Sequence, residues 1–299
     1  MKLLVIGSKG FIGQHIYSYF ADSKIYEAWA CDVVVDYTSP RYVQVDATNS
    51  DFSELFAKHS FTICINCSGA ASVPDSLVRP QRDFLLNTYN VFRMLDAIRK
   101  YYPACKFINM SSAAVYGNPV RLPVEESSQL YPISPYGHHK LMAEQICSEF
   151  VTFYGLKICS LRIFSAYGEG LKKQILWDIF TKMKCGLTIQ LYGDGRETRD
   201  FIHVKDIARA VHLIIDHAAF AGEVINVANG CELSIKDLVH SFIQLAAWPG
   251  HVQFNGQERE GDPVHWQADI TLLKSFGYCS VVSLETGLTR YIKWAQENA

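Results

Sequence analysis

The segment KLLVIGSKGFIGQHIYSYF, residues 2–20, decides the fold of this 299-residue chain. It begins with the apolar run LLVI of a buried strand and continues, from FIGQ onward, with the pattern of a helix. Gly7, Gly10 and Gly13 lie between the two, where the chain must turn tightly and present bare backbone amides. A strand, a glycine turn and a helix in this order predict the first βα unit of a parallel sheet.

The glycine turn also predicts an anion site, because a pyrophosphate can rest on the free N–H groups and the dipole of a helix N-terminus. Side chains at Gly7 or Gly10 would block close approach, and one at Gly13 would push the helix off the strand. Asp32 ends the second strand nineteen residues after Gly13, where a carboxylate accepts ribose hydroxyls and repels a 2′-phosphate. We therefore expect NAD(H), with NADP(H) as the alternative because Lys9 could pair with a 2′-phosphate.

Strand-like and helical runs alternate up to about residue 165, as in TICINCSG (62–69) followed by RDFLLNTYNVFRMLDAIRKYY (82–102). This alternation predicts an α/β fold with a Rossmann-like doubly wound parallel sheet. Glycine-bearing loops dominate after residue 166, around a helical run (203–219) and a strand-like run (222–229). We expect an NAD-binding domain over 1–165, with 203–228 returning to it, and a smaller C-terminal cap over 166–202 and 229–299.

Composition excludes several classes of partner. The chain has 28 basic and 30 acidic residues and a net charge of −2, so it lacks the field that a nucleic-acid or anionic-membrane binder needs. It contains no run of about 18 apolar residues. Nine scattered cysteines, an odd count, indicate reduced thiols. We expect a cytoplasmic protein with a small-molecule partner, no nucleic acid and no membrane; His138 and His139 have no neighbours at ligand spacing, so no metal is predicted.

Tyr136 and Lys140 lie four residues apart in SPYGHHK (134–140), where a loop runs into a helix, and would share one helix face. An ammonium within about 4–6 Å, together with the cationic nicotinamide ring, would lower the tyrosine pKa by about 1–3 units, so that the phenol could exchange a proton with a hydroxyl. A surface pair is the alternative for these two residues alone. Asp46 ends the third strand-like run, RYVQVD (41–46), and either meets a ligand at the sheet edge or caps the following helix.

With the strand-end motif SSAAVYG (111–117) in place before Tyr136, the chain resembles the extended short-chain dehydrogenases, the NAD-dependent nucleotide-sugar epimerase/dehydratase family, along essentially its whole length. Further matching motifs are Gly69-Ala70-Ala71, Asn87, LRIFSAYGEG (161–170), LYGDGRETRDFIHVKD (191–206) and REGD (259–262). The resemblance implies that the substrate is a nucleotide-diphosphate sugar and that the cap binds it.

The same resemblance implies that Tyr136 is the catalytic acid/base, Lys140 its electrostatic partner and Ser112 the hydroxyl that hydrogen-bonds the sugar oxygen. A turn cap is the alternative for Ser112, and Asn87 would brace the active-site loops. The expected cofactor-binding residues are Gly7, Lys9, Gly10, Phe11, Ile12, Gly13, Asp32, Asp46, Ala47, Gly69, Ala70, Ala71, Asn87, Tyr136 and Lys140.

On the substrate side, the resemblance implies that Arg199 and Arg259 clamp the diphosphate, a task suited to guanidinium forks. An ion pair of Arg199 with Asp200 or Asp206 is the structural alternative. The expected substrate-binding residues are Ser112, Tyr136, Ser165, Gln174, Tyr192, Arg199 and Arg259. Ser165 stands where the family usually has asparagine.

Ala113 and Ala114 separate this chain from two branches of the family. Sugar 4,6-dehydratases carry an Asp-Glu pair at these positions, and decarboxylases carry a Glu in place of Ala114. We therefore expect a nucleotide-sugar epimerase that transiently oxidises C4. A 4-keto-sugar reductase or C4 dehydrogenase is the first alternative, and a non-catalytic dinucleotide-binding protein is the alternative from another class.

Two long helical runs are apolar on more than one side. In the first, Phe84, Tyr89, Phe92, Leu95 and Ile98 fall broadly together; in the second, Met142, Ile146, Phe150 and Phe153 do so. These faces predict either core packing alone or core packing together with a homodimer interface.

Overall fold

The computed structural model describes residues 1–47, 50–257 and 261–299. Its strands are β1 (Lys2–Ile6), β2 (Glu27–Asp32), β3 (Tyr42–Gln44), β4 (Ile63–Asn66), β5 (Lys106–Ser112), β6 (Lys157–Ile163), β7 (Ser165–Tyr167), β8 (Thr188–Leu191), β9 (Thr198–Arg199), β10 (Phe201–His203), β11 (Ala221–Val227), β12 (Leu233–Ser234) and β13 (His251–Phe254).

The α-helices are α1 (Phe11–Ala21), α2 (Ser53–Lys58), α3 (Val73–Val78), α4 (Pro80–Phe84), α5 (Asn90–Tyr101), α6 (Pro135–Tyr154), α7 (Gln174–Met183), α8 (Val204–His217), α9 (Ile235–Leu245), α10 (Thr271–Ser275) and α11 (Leu284–Asn298). A π-helical turn, Leu85–Tyr89, joins α4 to α5, and a 3₁₀ turn, Ala113–Val115, follows β5.

Seven parallel strands form the main sheet in the order β11-β6-β5-β4-β1-β2-β3. The strand order reverses at β1 and β4, and such a switch point opens a ligand-binding crevice at the carboxyl ends of the strands. The predicted α/β fold with a doubly wound, Rossmann-like parallel sheet is confirmed. Because β11 pairs with β6, the chain returns to this sheet after it has built β7 to β10.

Alternating side chains of β1 separate two apolar cores, one on each face of the sheet. Leu3 and Val5 pack with residues of α1 and α8 on one face. Leu4 and Ile6 pack with residues of α2, α5 and α6 on the other. This two-sided cover explains why the sheet strands read as nearly continuous apolar runs.

A third core lies among α7, α9, α11, β8 and the residues after β7. Three two-stranded sheets flank it, namely β10-β7, β12-β9 and β13-β8. Trp266, Ile270, Leu273 and Tyr278 pack instead into the main-sheet core that contains Leu3. The segment that carries them therefore leaves the third core and lies against the large sheet before α11 returns to the third core.

Helices α5 and α6 divide their apolar side chains between core and surface. Leu95, Ile98 and Phe150 are buried against the sheet, whereas Phe92 and Phe153 are exposed. Exposed side chains in the same region are Phe84, Leu85, Tyr89, Met142 and Tyr154. Core packing thus accounts for only part of the apolar pattern of these helices.

Within the described ranges, no helix combines the length and the apolar character that crossing a bilayer would need. All nine cysteines are free thiols, five of them buried, including Cys64 in β4.

Candidate active site

The glycine turn is compact and lies against the end of β4. Gly7 has a φ of +81°, a conformation that favours glycine, and its N–H donates to the Cys31 carbonyl at 2.8 Å. A Cβ at Gly7 would lie 2.6 Å from the backbone nitrogen of Ser68. A Cβ at Gly13 would overlap the Gly7 carbonyl oxygen, so this glycine lets α1 approach the turn.

Helix α1 presents an uncapped N-terminus to the crevice. Gly10 is its N-cap and provides no side-chain acceptor, and the first turn carries no acidic residue. The leading amides, which include those of Phe11 and Ile12, can therefore serve an anion. The close fit of Gly7 and Gly13 together with these free amides suits the pyrophosphate of a dinucleotide.

The predicted ribose ligand, Asp32, ends β2 beside the glycine turn. Its Oδ2 accepts the backbone N–H of Lys9 at 2.8 Å, and its Oδ1 accepts that of Val33 at 2.7 Å. The Lys9 ammonium pairs with Asp36 and lies 5.2 Å from the centre of the Tyr42 ring. Sequence reasoning missed Asp36, which forms an ion pair with Lys9, the cation on which the NADP(H) alternative rested.

Asp46 and Ala47 follow β3 and are exposed. The alternative that Asp46 caps the next helix is wrong, because α2 begins at Ser53 and its N-cap is Phe52. Five residues lie between Asp46 and that cap, and two of them, Thr48 and Asn49, lie outside the described residues.

The loop after β4 brings Gly69 against two side chains of the site. A Cβ at Gly69 would overlap Oδ1 of Asn87 and would lie 3.6 Å from Nζ of Lys140. Asn87 is buried in the π-helical turn, and its Nδ2 donates to the Ala70 carbonyl at 3.0 Å. The neighbouring carbonyl of Ala71 accepts a bond from Lys173 at 3.2 Å.

Two elements bring the acid/base set together at the carboxyl edge of the sheet. Ser112 ends β5, while Tyr136 and Lys140 occupy the first two turns of α6, whose N-cap Ser134 accepts the N–H of Gly137 at 3.2 Å. The Ser112 side chain is hydrogen-bonded to Tyr136 and also accepts the N–H of Ala114 at 3.2 Å. It is therefore both a turn cap and a partner of the tyrosine.

Lys140 donates to the Met110 carbonyl at 2.8 Å, and its Nζ lies 5.9 Å from the centre of the Tyr136 ring. Burial raises the pKa of Tyr136 to about 12, although the bond from Ser112 opposes this. Burial also lowers the pKa of Lys140 to about 8. Burial is thus the largest influence on the pKa of both groups in this structure, and the lowering of the tyrosine pKa by Lys140 together with the nicotinamide ring stays a prediction.

Asp83 is the principal residue that sequence reasoning missed. It is 2% exposed and accepts bonds from Asn87 Nδ2 at 3.0 Å and from His139 Nδ1 at 2.6 Å. His139 is thus a structural partner of Asp83. The signal available in the sequence was the four-residue spacing of Asp83 and Asn87, which places both on one helix face.

The predicted substrate residues other than Ser112 and Tyr136 lie in the C-terminal part of the chain. Ser165 begins β7, and its N–H donates to the Asp200 carbonyl at 3.0 Å. Gln174 begins α7 with a φ of +64°, a strained conformation for a residue with a side chain. Tyr192 is exposed and lines a surface cleft with Lys182 and Asn255.

Arg199 lies in β9, and its guanidinium donates to the carbonyls of Thr198 at 2.8 Å and Val264 at 3.3 Å. The same group lies 5.6 Å from the centre of the Trp266 ring. Partial burial lowers its pKa. The predicted alternative, an ion pair with Asp200 or Asp206, is wrong, since backbone amides hold both carboxylates.

The Asp200 carboxylate accepts the backbone N–H groups of Asn229 and Ala268, and the Asp206 carboxylate accepts those of Val281 and Val282. The partner expected for Arg199 in the clamp, Arg259, lies outside the described residues. Of the predicted site residues, the structure brings five together beside the glycine turn, namely Ser112, Tyr136, Lys140, Asn87 and Gly69.

A model of the NAD dependent epimerase/dehydratase family matches residues 3–228. A putative UDP-glucose 4-epimerase from Methanocaldococcus jannaschii is 27% identical over 306 residues, covering 99% of each chain. GDP-6-deoxy-D-mannose reductase from Pseudomonas aeruginosa is 28% identical over 255 residues, covering 82% of this chain and 80% of the relative. The solved structure of UDP-glucose 4-epimerase from Thermotoga maritima with UDP-glucose is 26% identical, with a TM-score of 0.88 and 99% coverage of both chains.

Proposed function

The chain belongs to the NAD-dependent epimerase/dehydratase family, and from that membership we propose that it is a nucleotide-sugar epimerase that transiently oxidises a sugar hydroxyl at C4. The observation that carries the proposal is the meeting of Ser112, Tyr136 and Lys140 at the sheet edge beside the glycine turn. The similarity to two proteins described as UDP-glucose 4-epimerases supports the choice of C4.

NAD is the proposed cofactor. The uncapped N-terminus of α1 and the close fit of Gly7 and Gly13 support a pyrophosphate site there, with Asp32 at the adenosine ribose. Asp46, Ala47 and the Gly69 loop would line the rest of the site, and Lys140 would reach the second ribose. When bound, NAD supplies the hydride acceptor and donor for the sugar carbon.

Tyr136 carries the proton in this mechanism. Its oxygen takes the proton of the C4 hydroxyl while the sugar is oxidised, and returns it when the keto group is reduced on the other face. Ser112, hydrogen-bonded to the tyrosine, holds the same sugar oxygen. The Lys140 ammonium favours the phenolate that the first step requires, because opposite charges stabilise each other in a buried site.

The keto sugar must rotate between the two steps so that its other face meets the cofactor, and few contacts should therefore hold the sugar ring itself. We propose that Arg199 and Arg259 hold the diphosphate, with Gln174 and Tyr192 on the nucleotide side and Ser165 near the sugar or diphosphate. The strained φ of Gln174 supports a binding role, since such strain persists where function requires it.

The test is a product assay on the purified protein without added cofactor. We expect UDP-sugars that differ only at C4 to interconvert in both directions, and mass spectrometry to identify NAD released on denaturation. A matched panel of GDP, CDP and dTDP sugars identifies the nucleotide. Absence of C4 inversion for every sugar would overturn the epimerase assignment.

A 4-keto-sugar reductase or C4 dehydrogenase is the second candidate, supported by the 28% identity to GDP-6-deoxy-D-mannose reductase. It would use the same tyrosine but exchange its cofactor in each turnover. Activity that depends on added NAD(P)H or NAD(P)+ and consumes it stoichiometrically would favour this candidate. Binding of NAD without turnover would favour a non-catalytic dinucleotide-binding protein.

We also propose that residues 166–202 and 229–299 form the nucleotide-sugar-binding cap, which the third apolar core supports. The cap boundary would then exclude Trp266–Tyr278, which packs on the large sheet. A homodimer through α5 and α6 and a cytoplasmic location remain predictions, the first supported by the exposed aromatic side chains of these helices.

A further inference from the structure

A buried carboxylate that takes no part in the proposed proton transfer lies among the acid/base residues. Asp83 in α4 is 2% exposed, and both of its oxygens are hydrogen-bonded. Each of its two hydrogen-bond partners lies close to Lys140. His139 directly precedes Lys140 in α6, and Asn87 lies against Gly69, which borders the Lys140 ammonium.

The same region joins two helices. Besides the bond from His139 to Asp83, the Thr88 hydroxyl donates to the His139 carbonyl at 2.9 Å. The rings of Phe84 and His139 meet edge to face, with centres 5.5 Å apart. Thr88 and Asn87 belong to the π-helical turn, an irregularity that is frequent at functional sites.

We propose that Asp83 is a positioning residue of the acid/base site: clamped by His139, it holds Asn87 and the first turns of α6 in place and supplies the negative charge that faces Tyr136 and Lys140. The inference rests on the proposed function, because it concerns the same proton transfer. Asp83 acts through the groups that it holds and does not contact the substrate.

The charges around Lys140 single out Asp83. The groups that face this ammonium are Asp83 from α4, Cys67 after β4, and Glu144 and Cys147 from α6, and Asp83 contributes most among them to raising its pKa. Glu144 is held by Arg162 at 2.8 Å, so its charge is compensated. Because burial lowers the pKa of Lys140 to about 8, a nearby anion is needed to keep the ammonium charged near neutral pH.

Asp83→Asn in the full-length, NAD-bound enzyme removes the charge at nearly constant shape. The carboxylate raises the pKa of both Tyr136 and Lys140, so its loss lowers both. We expect both limbs of the pH profile of kcat to move to lower pH by about one unit, whichever group each limb reports. A merely structural role would lower kcat at every pH and leave the limbs in place. Asp96→Asn, which removes a carboxylate of α5 paired with Arg99, is the matched control.

His139 separates the clamp from the charge. His139→Ala keeps the Asp83 charge and removes its donor, so kcat should fall about tenfold or more, with KM within about threefold and the pH limbs unmoved. His139→Asn places an amide donor near Nδ1 and should restore most of kcat. If Asp83→Asn does not fold, the two His139 variants still test the proposal. A wild-type kcat in His139→Ala would contradict the claim that His139 holds Asp83 in place.

A titration without substrate distinguishes failure of this inference from failure of the epimerase proposal. Carbon-13 NMR of Cε in lysine-labelled protein, assigned with Lys140→Met, follows the Lys140 ammonium in the NAD-bound state. We expect its midpoint to fall by about one pH unit in Asp83→Asn. An unchanged midpoint would overturn the role of Asp83, whatever sugar the enzyme turns over.

Discussion

The Tyr136 hydroxyl is the atom on which the proposed chemistry depends most directly. Tyr136→Phe removes this oxygen alone from a side chain that is 9% exposed, so the packing of α6 should survive. We expect turnover to fall at least about 100-fold, the lower scale of a general acid/base contribution, while NAD stays bound. Steady-state turnover and mass spectrometry of released cofactor measure the two effects. A near-normal rate would remove Tyr136 from the mechanism.

Lys140 should cost the protein stability at neutral pH. Its pKa is about 8 in the folded chain against an ordinary 10.5, so burying the charged form is unfavourable below pH 8. Between pH 8 and about 10.5 the unfolded chain binds more protons than the folded one, and stability rises with pH in this window.

Lys140→Met should therefore stabilise the cofactor-free protein by about 1–3 kcal/mol at pH 7 while abolishing turnover. The gain should shrink as the pH rises from 8 to 10. Urea unfolding at pH 7 and pH 10 measures both values, with Lys236→Met on the exposed surface of α9 as control. A destabilised variant at pH 7 would mean that the bond from Lys140 to the Met110 carbonyl outweighs the burial of charge.

Asp36 is expected to weaken binding of NADP(H) by occupying Lys9. Asp36→Asn should release the ammonium for a 2′-phosphate and raise NADP(H) affinity about two- to fivefold, the scale of an exposed ion pair. NAD(H) affinity should not change, because Asp32 keeps its bonds to the backbone of Lys9 and Val33. Calorimetric titration with both cofactors measures the ratio, and an unchanged ratio would exclude Lys9 from cofactor selection.

The loop and short strand that carry Arg199 give a test at the scale of an element. Arg199→Ala should weaken UDP binding about ten- to a hundredfold, since a charge-assisted contact to an anion contributes roughly 1.5–3 kcal/mol. Arg196→Ala is the control, because Arg196 lies in the same loop and pairs at the surface with Asp194 at 3.5 Å.

Calorimetry with UDP and thermal unfolding distinguish a diphosphate-binding role of Arg199 from a structural role. The Arg199 guanidinium donates to two carbonyls and lies over the Trp266 ring. A large drop in the Tm of Arg199→Ala with normal UDP binding would therefore make Arg199 a structural residue. Arg199→Lys keeps the charge without the guanidinium fork. We expect this variant to recover only part of the UDP affinity.

Regular elements were the part of the fold that the sequence could predict. Glycine spacing and apolar runs identified β1, α1 and the doubly wound sheet, because each depends on a local period. The π-helical turn that holds Asn87 has no such period. The pairing of Asp83 with His139 spans 56 residues and arises only when α4 packs on α6. Likewise, only the folded structure shows that Tyr136 and Lys140 are buried deeply enough for desolvation to be the largest influence on the pKa of each.

At the scale of the whole molecule, the exposed aromatic face of α5 and α6 predicts self-association. Phe92→Glu combined with Phe153→Glu should convert a homodimer into a monomer, because each carboxylate would have to be desolvated in the interface. Light scattering coupled to size-exclusion chromatography measures the mass. Val120→Glu, at a fully exposed apolar side chain, is the control. A monomeric parent protein would contradict the prediction.

The position of β11 beside β6 has a consequence for synthesis on the ribosome. Until residues 221–227 have emerged, β6 is an open edge whose backbone groups can pair with another nascent chain. Slightly more than three quarters of the polypeptide must therefore be made before the large sheet can close. The six other strands have to wait in a partly folded, aggregation-prone state, in which chaperones act on many proteins of this size.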